Sequence, residues 1–385
     1  MKKRILITTE SLDIGGVETT LLSLIKELQN YDVEIDLYVL RKGALQKEFE
    51  KLNKINIIPV QYSKNPLINR ILKNIKCKTL LKKYQKVNTK EYDIAIAYYG
   101  INNYSDLYAA QAKAKEKLIW VHCNFNDLYQ ASNHKFLIKI RNKLIAKKFN
   151  YFNQIIAVSE SAKDGFLKIF PKYKDKISVI NNIFSMERLA SKNEDCEIEI
   201  QGENNLIYIG RLDKLKNVST LLLEFQKVRE VIDNAKLYIV GSGPEEENLK
   251  KIVCDLELQN KVVFLGFQNN PFKYLNKATL SVTASLSETY ATNIIESLAL
   301  KKYFVSANNS GAKDIFYNRN KTNLNNGIIC DPEDMHYHII YYLQHKNEFN
   351  PNFDIHKAND EIIEKVKKIL KLQWIVVISH EYMIQ

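Results

Sequence analysis

The chain has no run approaching the roughly 20 apolar residues that a membrane-spanning helix needs, although it is 385 residues long. That excludes a transmembrane helix. The start, Met1-Lys-Lys-Arg-Ile-Leu-Ile-Thr-Thr-Glu10, is basic, but its apolar core is too short for a secretory signal. It reads as a first β-strand. Cysteine is scarce: Cys77, Cys123, Cys196, Cys254 and Cys330 are scattered, with no CxxC pair. This argues against a zinc site or a disulfide framework and fits a reducing cytoplasm. Each cysteine reads as a small buried hydrophobe. There is no RRM-like aromatic run and no zinc-finger spacing, so nucleic acid is not an expected partner.

Negative charge is scarce in one half only. The formal net charge is +12. Residues 1–180 hold 32 Lys and Arg against 17 Asp and Glu, a balance of +15; the remainder holds 24 against 27, a balance of −3. Such asymmetry implies a polyanionic partner for the first half. Two segments point to an anionic membrane surface. From His134 to Phe149, apolar Leu137, Ile140, Leu144 and Ile145 interleave with Lys139, Arg141, Lys143, Lys147 and Lys148. From Lys64 to Lys83, apolar Ile68, Ile71, Leu72, Ile75 and Leu80 interleave with Arg70, Lys73, Lys76, Lys78 and Lys82. Both read as basic amphipathic helices that could lie on a bilayer. Either alone reads equally well as a core-facing stripe with solvated lysines. Together with the lopsided charge, they favour peripheral contact with the inner face of a cell membrane. Arg70, Lys73, Lys139, Arg141, Lys143 and Lys147 are the candidate membrane or acceptor contacts.

Strand-like and helix-like runs alternate. Ile5–Thr8, Val33–Leu40, Ile94–Ala97, Leu118–Val121, Ile155–Val158 and Ile177–Ile180 read as strands, with a helical run around Leu21–Leu28. The polar stretch Asn181–Asn205 reads as a linker. The alternation then restarts with strands at Leu206–Ile209, Leu237–Val240, Val262–Leu265, Leu280–Thr283 and Phe304–Ser306, and helices at Val218–Ile232 and Glu245–Leu256. The pattern predicts parallel sheets covered on both faces. The expected fold class is α/β: two doubly wound Rossmann-like domains facing each other across a cleft. Residues 1–184 form the first, basic domain and 185–360 the second. Residues 361–385 form a terminal segment packing back on the first. Within that segment, Gln373–His380 is β-branched where a final helix is expected, and we have no physical account of it.

Glu288 and Glu296 are the most informative residues. The run Leu280–Ala284 reads as the end of a buried strand, and Asn293–Leu300 has helical spacing. Glu288 then sits in the strand-to-helix turn and Glu296 one to two turns into the helix. In an open α/β sheet, ligands bind at the carboxyl ends of the strands. The helix start, Thr292 and Asn293, offers backbone N–H groups to an anion such as a diphosphate. Two carboxylates beside an anion site would repel phosphate, so they face hydroxyls. A ligand with a central diphosphate and hydroxyls at both ends is a nucleotide sugar. The plainer reading is a helix cap and a solvated surface residue.

Four ordered elements resemble glycosyltransferase family 4, retaining enzymes of the two-domain GT-B fold. They are Tyr208-Ile-Gly-Arg-Leu-Asp-Lys-Leu-Lys-Asn217, Val240-Gly-Ser-Gly-Pro-Glu245, Val263-Phe-Leu-Gly-Phe267 and the Glu288/Glu296 pair. The resemblance implies that Arg211 and Lys216 bind the donor diphosphate, with Gly210 letting the backbone come close. It implies that Glu288 holds the transferred sugar's hydroxyls and Glu296 the ribose. Gly266 and Phe267 would present backbone to the base. Gly241 and Gly243 read as turn glycines, with Pro244 opening the next helix. In the first half, Gly15-Gly16-Val17-Glu18 matches the family's glycine-rich loop near donor phosphates and acceptor. His122 matches its active-site histidine and would contact donor or acceptor hydroxyls, and Ser159 matches an architectural position. Fixed cations can stabilise a departing diphosphate without a metal. The chain lacks an Asp-x-Asp run, and neither metal nor cofactor is expected. The chain departs from the family pattern at Thr289-Tyr290-Ala291, where glycine usually follows the glutamate, and at Lys313 in Ser310-Gly-Ala-Lys-Asp314.

The expected activity is retaining, metal-independent transfer from a nucleotide diphosphate sugar, a UDP-sugar by preference. The expected acceptor is a lipid-linked glycan in bacterial surface-polysaccharide assembly. The alternatives are a non-catalytic glycosyltransferase-like partner subunit and a nucleotide-sugar epimerase on the same fold.

Overall fold

The computed structural model describes residues 2–59, 90–100, 104–130, 136, 142, 145–190, 193, 199–200, 202–318 and 324–372. The segment from Lys64 to Lys83, with Arg70 and Lys73, lies outside these residues, as do Lys139, Arg141, Lys143 and Gln373–His380. The chain divides into two compact units, Met1–Ile183 with Asp360–Gln385, and Phe184–Asn359.

The first unit holds strands β1 (Lys3–Ser11), β2 (Val33–Arg41), β3 (Ile55–Pro59), β4 (Glu91–Ala97), β5 (Lys113–Val121), β6 (Gln154–Ala157) and β7 (Ile177–Val179). They form one sheet in the order β3-β2-β1-β4-β5-β6-β7, every pair parallel. Its helices are α1 (Gly16–Leu28), α2 (Gln46–Glu50), α3 (Tyr104–Gln111), α4 (Phe125–Gln130) and α5 (Glu160–Ile169). The strands are continuous apolar runs because both sheet faces are covered. Ile5, Leu6 and Ile7 of β1 are all buried.

The second unit repeats the plan. Its strands are β8 (Asn205–Ile209), β9 (Lys236–Val240), β10 (Val262–Gly266), β11 (Leu280–Thr283), β12 (Tyr303–Ala307) and β13 (Gly327–Cys330). They pair in parallel in the order β10-β9-β8-β11-β12-β13. Its helices are α6 (Met186–Ala190), α7 (Val218–Val231), α8 (Glu246–Asp255), α9 (Phe272–Lys277), α10 (Thr292–Ala299), α11 (Ser310–Asn318) and α12 (Met335–His345). A last helix, α13 (Ile355–Leu370), starts in the second unit and ends in the first. In α7, Val218, Leu221, Leu222, Phe225 and Val228 fall at helical spacing and are all buried. They meet Leu237, Ile239, Val282 and Val305 from the sheet and Met335 and Ile339 from α12 in one core.

In each sheet the strand order reverses once, between β1 and β4 and between β8 and β11. Ligands of such sheets bind at the carboxyl ends of the strands beside that reversal. Those strands end at Ser11, Ala97, Ile209 and Thr283, next to the glycine loop, Arg211 and Glu288.

Three features differ from the sequence expectations. The short strands β3 and β13 are present although neither run stood out. The expected linker Asn181–Asn205 is partly structured: α6 forms inside it, and Asn205 opens β8 while its side-chain amide donates to the Gly202 carbonyl at 2.7 Å. Finally, part of the basic run near Lys147 packs inward. Ile145 and Phe149 are buried, and Lys148 forms an ion pair with Asp106, the two side chains 7% and 0% exposed. The neighbouring Lys147 is exposed. A lysine expected on a solvated or membrane face is thus a core charge, drawn in by a buried carboxylate.

Candidate functional site

In the second unit, β8 delivers the chain into a turn at Gly210–Lys216. Three bonds fix the turn's backbone. Gly210 N donates to the Val240 carbonyl, Leu212 N to Ser242 and Glu245 N to Leu212, each at 3.0 Å. The approach is close enough to require glycine in the facing loop. A Cβ on Gly241, whose φ is +139°, would lie 1.9 Å from the Gly210 carbonyl oxygen, and one on Gly243 would lie 2.3 Å from that of Leu212. Gly210 itself makes room for a side chain, because a Cβ there would sit 2.6 Å from the Tyr208 hydroxyl. That hydroxyl donates to the Arg211 carbonyl at 3.0 Å. Burial, reinforced by the charges of Glu288 and Asp213, pushes the Tyr208 phenol far above its ordinary range, so it stays a donor.

Both cations of the turn are oriented. Arg211 donates Nε and Nη2 to Asp213 Oδ2, at 2.7 and 2.6 Å. Lys216 Nζ donates to Glu288 Oε1 at 2.6 Å, with side-chain exposures of 25% and 13%. The structure therefore brings Lys216 and Glu288 together, 72 residues apart in sequence. Glu288 lies between β11 and α10, and Glu296 lies on α10, buried to 8% exposure. Thr292 and Asn293 form the first turn of α10. The Glu288 turn is backed by α11: the Ser310 hydroxyl donates to the Glu288 carbonyl at 3.3 Å, and a Cβ on Gly311 would lie 2.5 Å from the same oxygen. Gly266 has φ +64° and no atom within 4 Å of a Cβ position, so its backbone conformation is what calls for glycine. Phe267 beside it is exposed.

In the first unit, Gly15 is the N-cap of α1. The space over its Cα is filled by a carboxylate: a Cβ there would lie 2.5 Å from Glu18 Oε2. Glu18 is buried and accepts from the Ser11 hydroxyl at 2.9 Å. Gly16 has open space over it. His122 follows β5 directly. Its Nε2 is closed off from solvent without a hydrogen-bond partner among the described residues. Burial pushes the imidazole down to about 3, only partly opposed by a hydrogen bond with the Tyr98 backbone. The ring packs 4.8 Å from that of Tyr98. Ser159 caps α5, accepting from Ala162 N at 3.0 Å. Among the described residues, no group of three or more His, Cys, Asp or Glu side chains is placed to hold a metal.

The Glycosyltransferase Family 4 model matches residues 14–188, and the Glycosyl transferases group 1 model matches residues 191–353. The chain belongs to the family 4 glycosyltransferases. This glycosyltransferase is 28% identical over 311 residues to the N-acetylgalactosamine-N,N'-diacetylbacillosaminyl-diphospho-undecaprenol 4-alpha-N-acetylgalactosaminyltransferase of Campylobacter jejuni, covering 80% of this chain and 81% of that one. It is 25% identical to an uncharacterized glycosyltransferase of Haemophilus influenzae, covering 82% of each. Among solved structures, Anabaena HepE in complex with UDP and glucose matches 94% of this chain and 99% of its own, with TM-score 0.71 and 17% identity. WaaG, a glycosyltransferase involved in lipopolysaccharide biosynthesis, matches 96% and 95% with TM-score 0.65 and 11% identity. At such identities the structural matches carry the fold: each unit is a Rossmann-like half of a GT-B enzyme.

Sequence reasoning passed over Asp213, Tyr208 and Gly311 as site residues. Asp213 had a readable signal, an acidic residue just before a short helical turn at cap spacing. Tyr208 and Gly311 had none, since their roles depend on contacts with Arg211 and Glu288 that only the folded unit creates.

Proposed function

We propose that this glycosyltransferase moves a sugar from a UDP-sugar, with retention of anomeric configuration, onto a lipid-linked glycan in bacterial surface-polysaccharide assembly. The observation that carries the reading is the Lys216–Glu288 pair at 2.6 Å beside Arg211. It sets a cation for the diphosphate next to a carboxylate for sugar hydroxyls, at the sheet edge where a donor docks. As the bond from the anomeric carbon to the diphosphate oxygen breaks, negative charge grows on the leaving oxygen, and Arg211 and Lys216 stabilise it. The first turn of α10, at Thr292 and Asn293, adds backbone N–H groups for the phosphates. Glu288 accepts from hydroxyls of the transferred sugar, and Glu296 from the ribose. Gly266 and Phe267 flank the base. His122, neutral, bonds a donor or acceptor hydroxyl once its closed-off Nε2 is uncovered, and the Gly15-Gly16 loop lies near the donor phosphates and the acceptor.

The protein cations take the part a metal would play, and no cofactor or metal enters the reading. The leaving phosphate helps deprotonate the acceptor, and no protein nucleophile is assigned. The donor is supported by the UDP bound in the HepE structure. The acceptor is supported by the diphospho-undecaprenol in the name of the Campylobacter relative. Peripheral membrane contact is supported by the +15 balance of the first 180 residues. Exposed Phe136 and Tyr151, flanking Lys147, lend it further support. Among the described residues no helix is long and apolar enough to cross a membrane.

The test is a transfer assay on undecaprenyl-diphosphate-linked saccharides in anionic vesicles. Arg211→Ala and Glu288→Ala should each lower transfer at least a hundredfold, in line with loss of a donor to developing charge. The wild type should sediment with anionic but not neutral vesicles. Full transfer by either variant would sink the assignment of these residues.

A further inference from the structure

We propose that Asp213 is a positioning residue that sets both Arg211 and Lys216 against the leaving diphosphate. The proposal rests on the reading of those two cations given above. One carboxylate has two tasks. Its Oδ2 takes the inner edge of the Arg211 guanidinium, Nε at 2.7 Å and Nη2 at 2.6 Å. Its Oδ1 takes the backbone N–H groups of Leu215 and Lys216, at 3.0 and 3.2 Å. The first contact aims a side chain. The second fixes the backbone from which Lys216 reaches Glu288.

Orientation matters because Arg211 is 73% exposed, whereas Asp213 is 15% exposed. A long side chain at that exposure would otherwise sample many rotamers. Holding its inner edge leaves Nη1 and its hydrogens for a phosphate, since the guanidinium fork carries five donors. Asp213 thus aims the cation without consuming it. The carboxylate is itself well anchored: Leu212, the preceding residue, is held by backbone bonds to Ser242 and Glu245, both at 3.0 Å. Tyr208 holds the Arg211 carbonyl from the other side.

A capping role alone makes a different prediction. Asparagine keeps an acceptor oxygen for the two N–H groups but loses the charge that grips the guanidinium. A purely electrostatic role also differs, and in sign. Asp213 is an anion near a diphosphate, so without positioning its neutralisation would tighten UDP binding.

The experiment titrates wild type, Asp213→Asn, Arg211→Gln and the double variant with UDP and with UMP. The ratio of the two affinities isolates the grip on the second phosphate. Asp213→Asn should lower this ratio about tenfold, equivalent to roughly 1.4 kcal/mol. UMP affinity and melting temperature should stay unchanged. The double variant should be no worse than Arg211→Gln, because asparagine keeps the backbone bonds that fix Lys216 and loses only the grip on Arg211. If Arg211→Gln lowers the ratio while Asp213→Asn leaves it equal or raises it, the positioning role is wrong and the diphosphate reading stands. If Arg211→Gln leaves the ratio unchanged, the diphosphate reading fails and takes this proposal with it.

Discussion

Burial pushes the His122 imidazole down to about 3, so the ring is neutral at physiological pH and offers one donor and one acceptor rather than a charge. The same shift bears on stability. The folded value lies below the ordinary 6.5, so the unfolded chain takes up the proton first. The stability linked to His122 is therefore fully present above about pH 6.5 and falls as the pH drops toward 3, by roughly 1.4 kcal/mol per unit. His122→Gln should flatten the fall in urea midpoint between pH 6.5 and pH 4.5 relative to wild type. Parallel curves would show that His122 is not the group responsible. The position of this histidine past a strand end was legible in the sequence; the closure of its Nε2 was not, because it depends on what packs against the strand. Gly15 is a similar case. Its glycine was visible, but the Glu18 carboxylate that fills the space over it was not.

Elements in this fold are joined by a few buried polar links as well as by the apolar core. Lys148, on the short helical turn at the end of the basic run, reaches Asp106 on α3. The second oxygen of Asp106 accepts from Gly100 N at 3.2 Å. Gly100 has φ +69°, and a Cβ on it would lie 1.8 Å from the Trp120 carbonyl. The link thus ties α3, the chain after β4 and the last turn before β6. Asp106→Ala leaves a buried ammonium without its partner and should cost about 3–5 kcal/mol, read as a lower urea midpoint. Adding Lys148→Met should restore much of the loss. A single variant with wild-type stability would contradict this account. The strands themselves were legible because parallel sheets covered on both faces demand continuous apolar runs, as in β1 and β8. Lys148 was not, because a lysine in a basic amphipathic run looks the same in sequence whether it is solvated or paired.

At the scale of the molecule, two sheets of the same winding carry separate sets of groups. The second unit holds the cations and the paired glutamates, and the first holds the glycine loop and His122. The Glu288/Glu296 spacing and the Arg211/Lys216 run were legible because they fall at strand ends and helix starts, which the alternating pattern locates. The central claim is that this glycosyltransferase takes a nucleotide diphosphate sugar with its own cations. Thermal stability with UDP-, GDP- and ADP-sugars in the presence of EDTA tests it most directly. A ligand at 100 times its Kd stabilises by about 2.7 kcal/mol, which should raise Tm by several degrees, at roughly 2–4 °C per kcal/mol. The account predicts such a rise for UDP-sugars and its loss in Arg211→Gln. No rise with any nucleotide sugar in EDTA, or an undiminished rise in the variant, would contradict it.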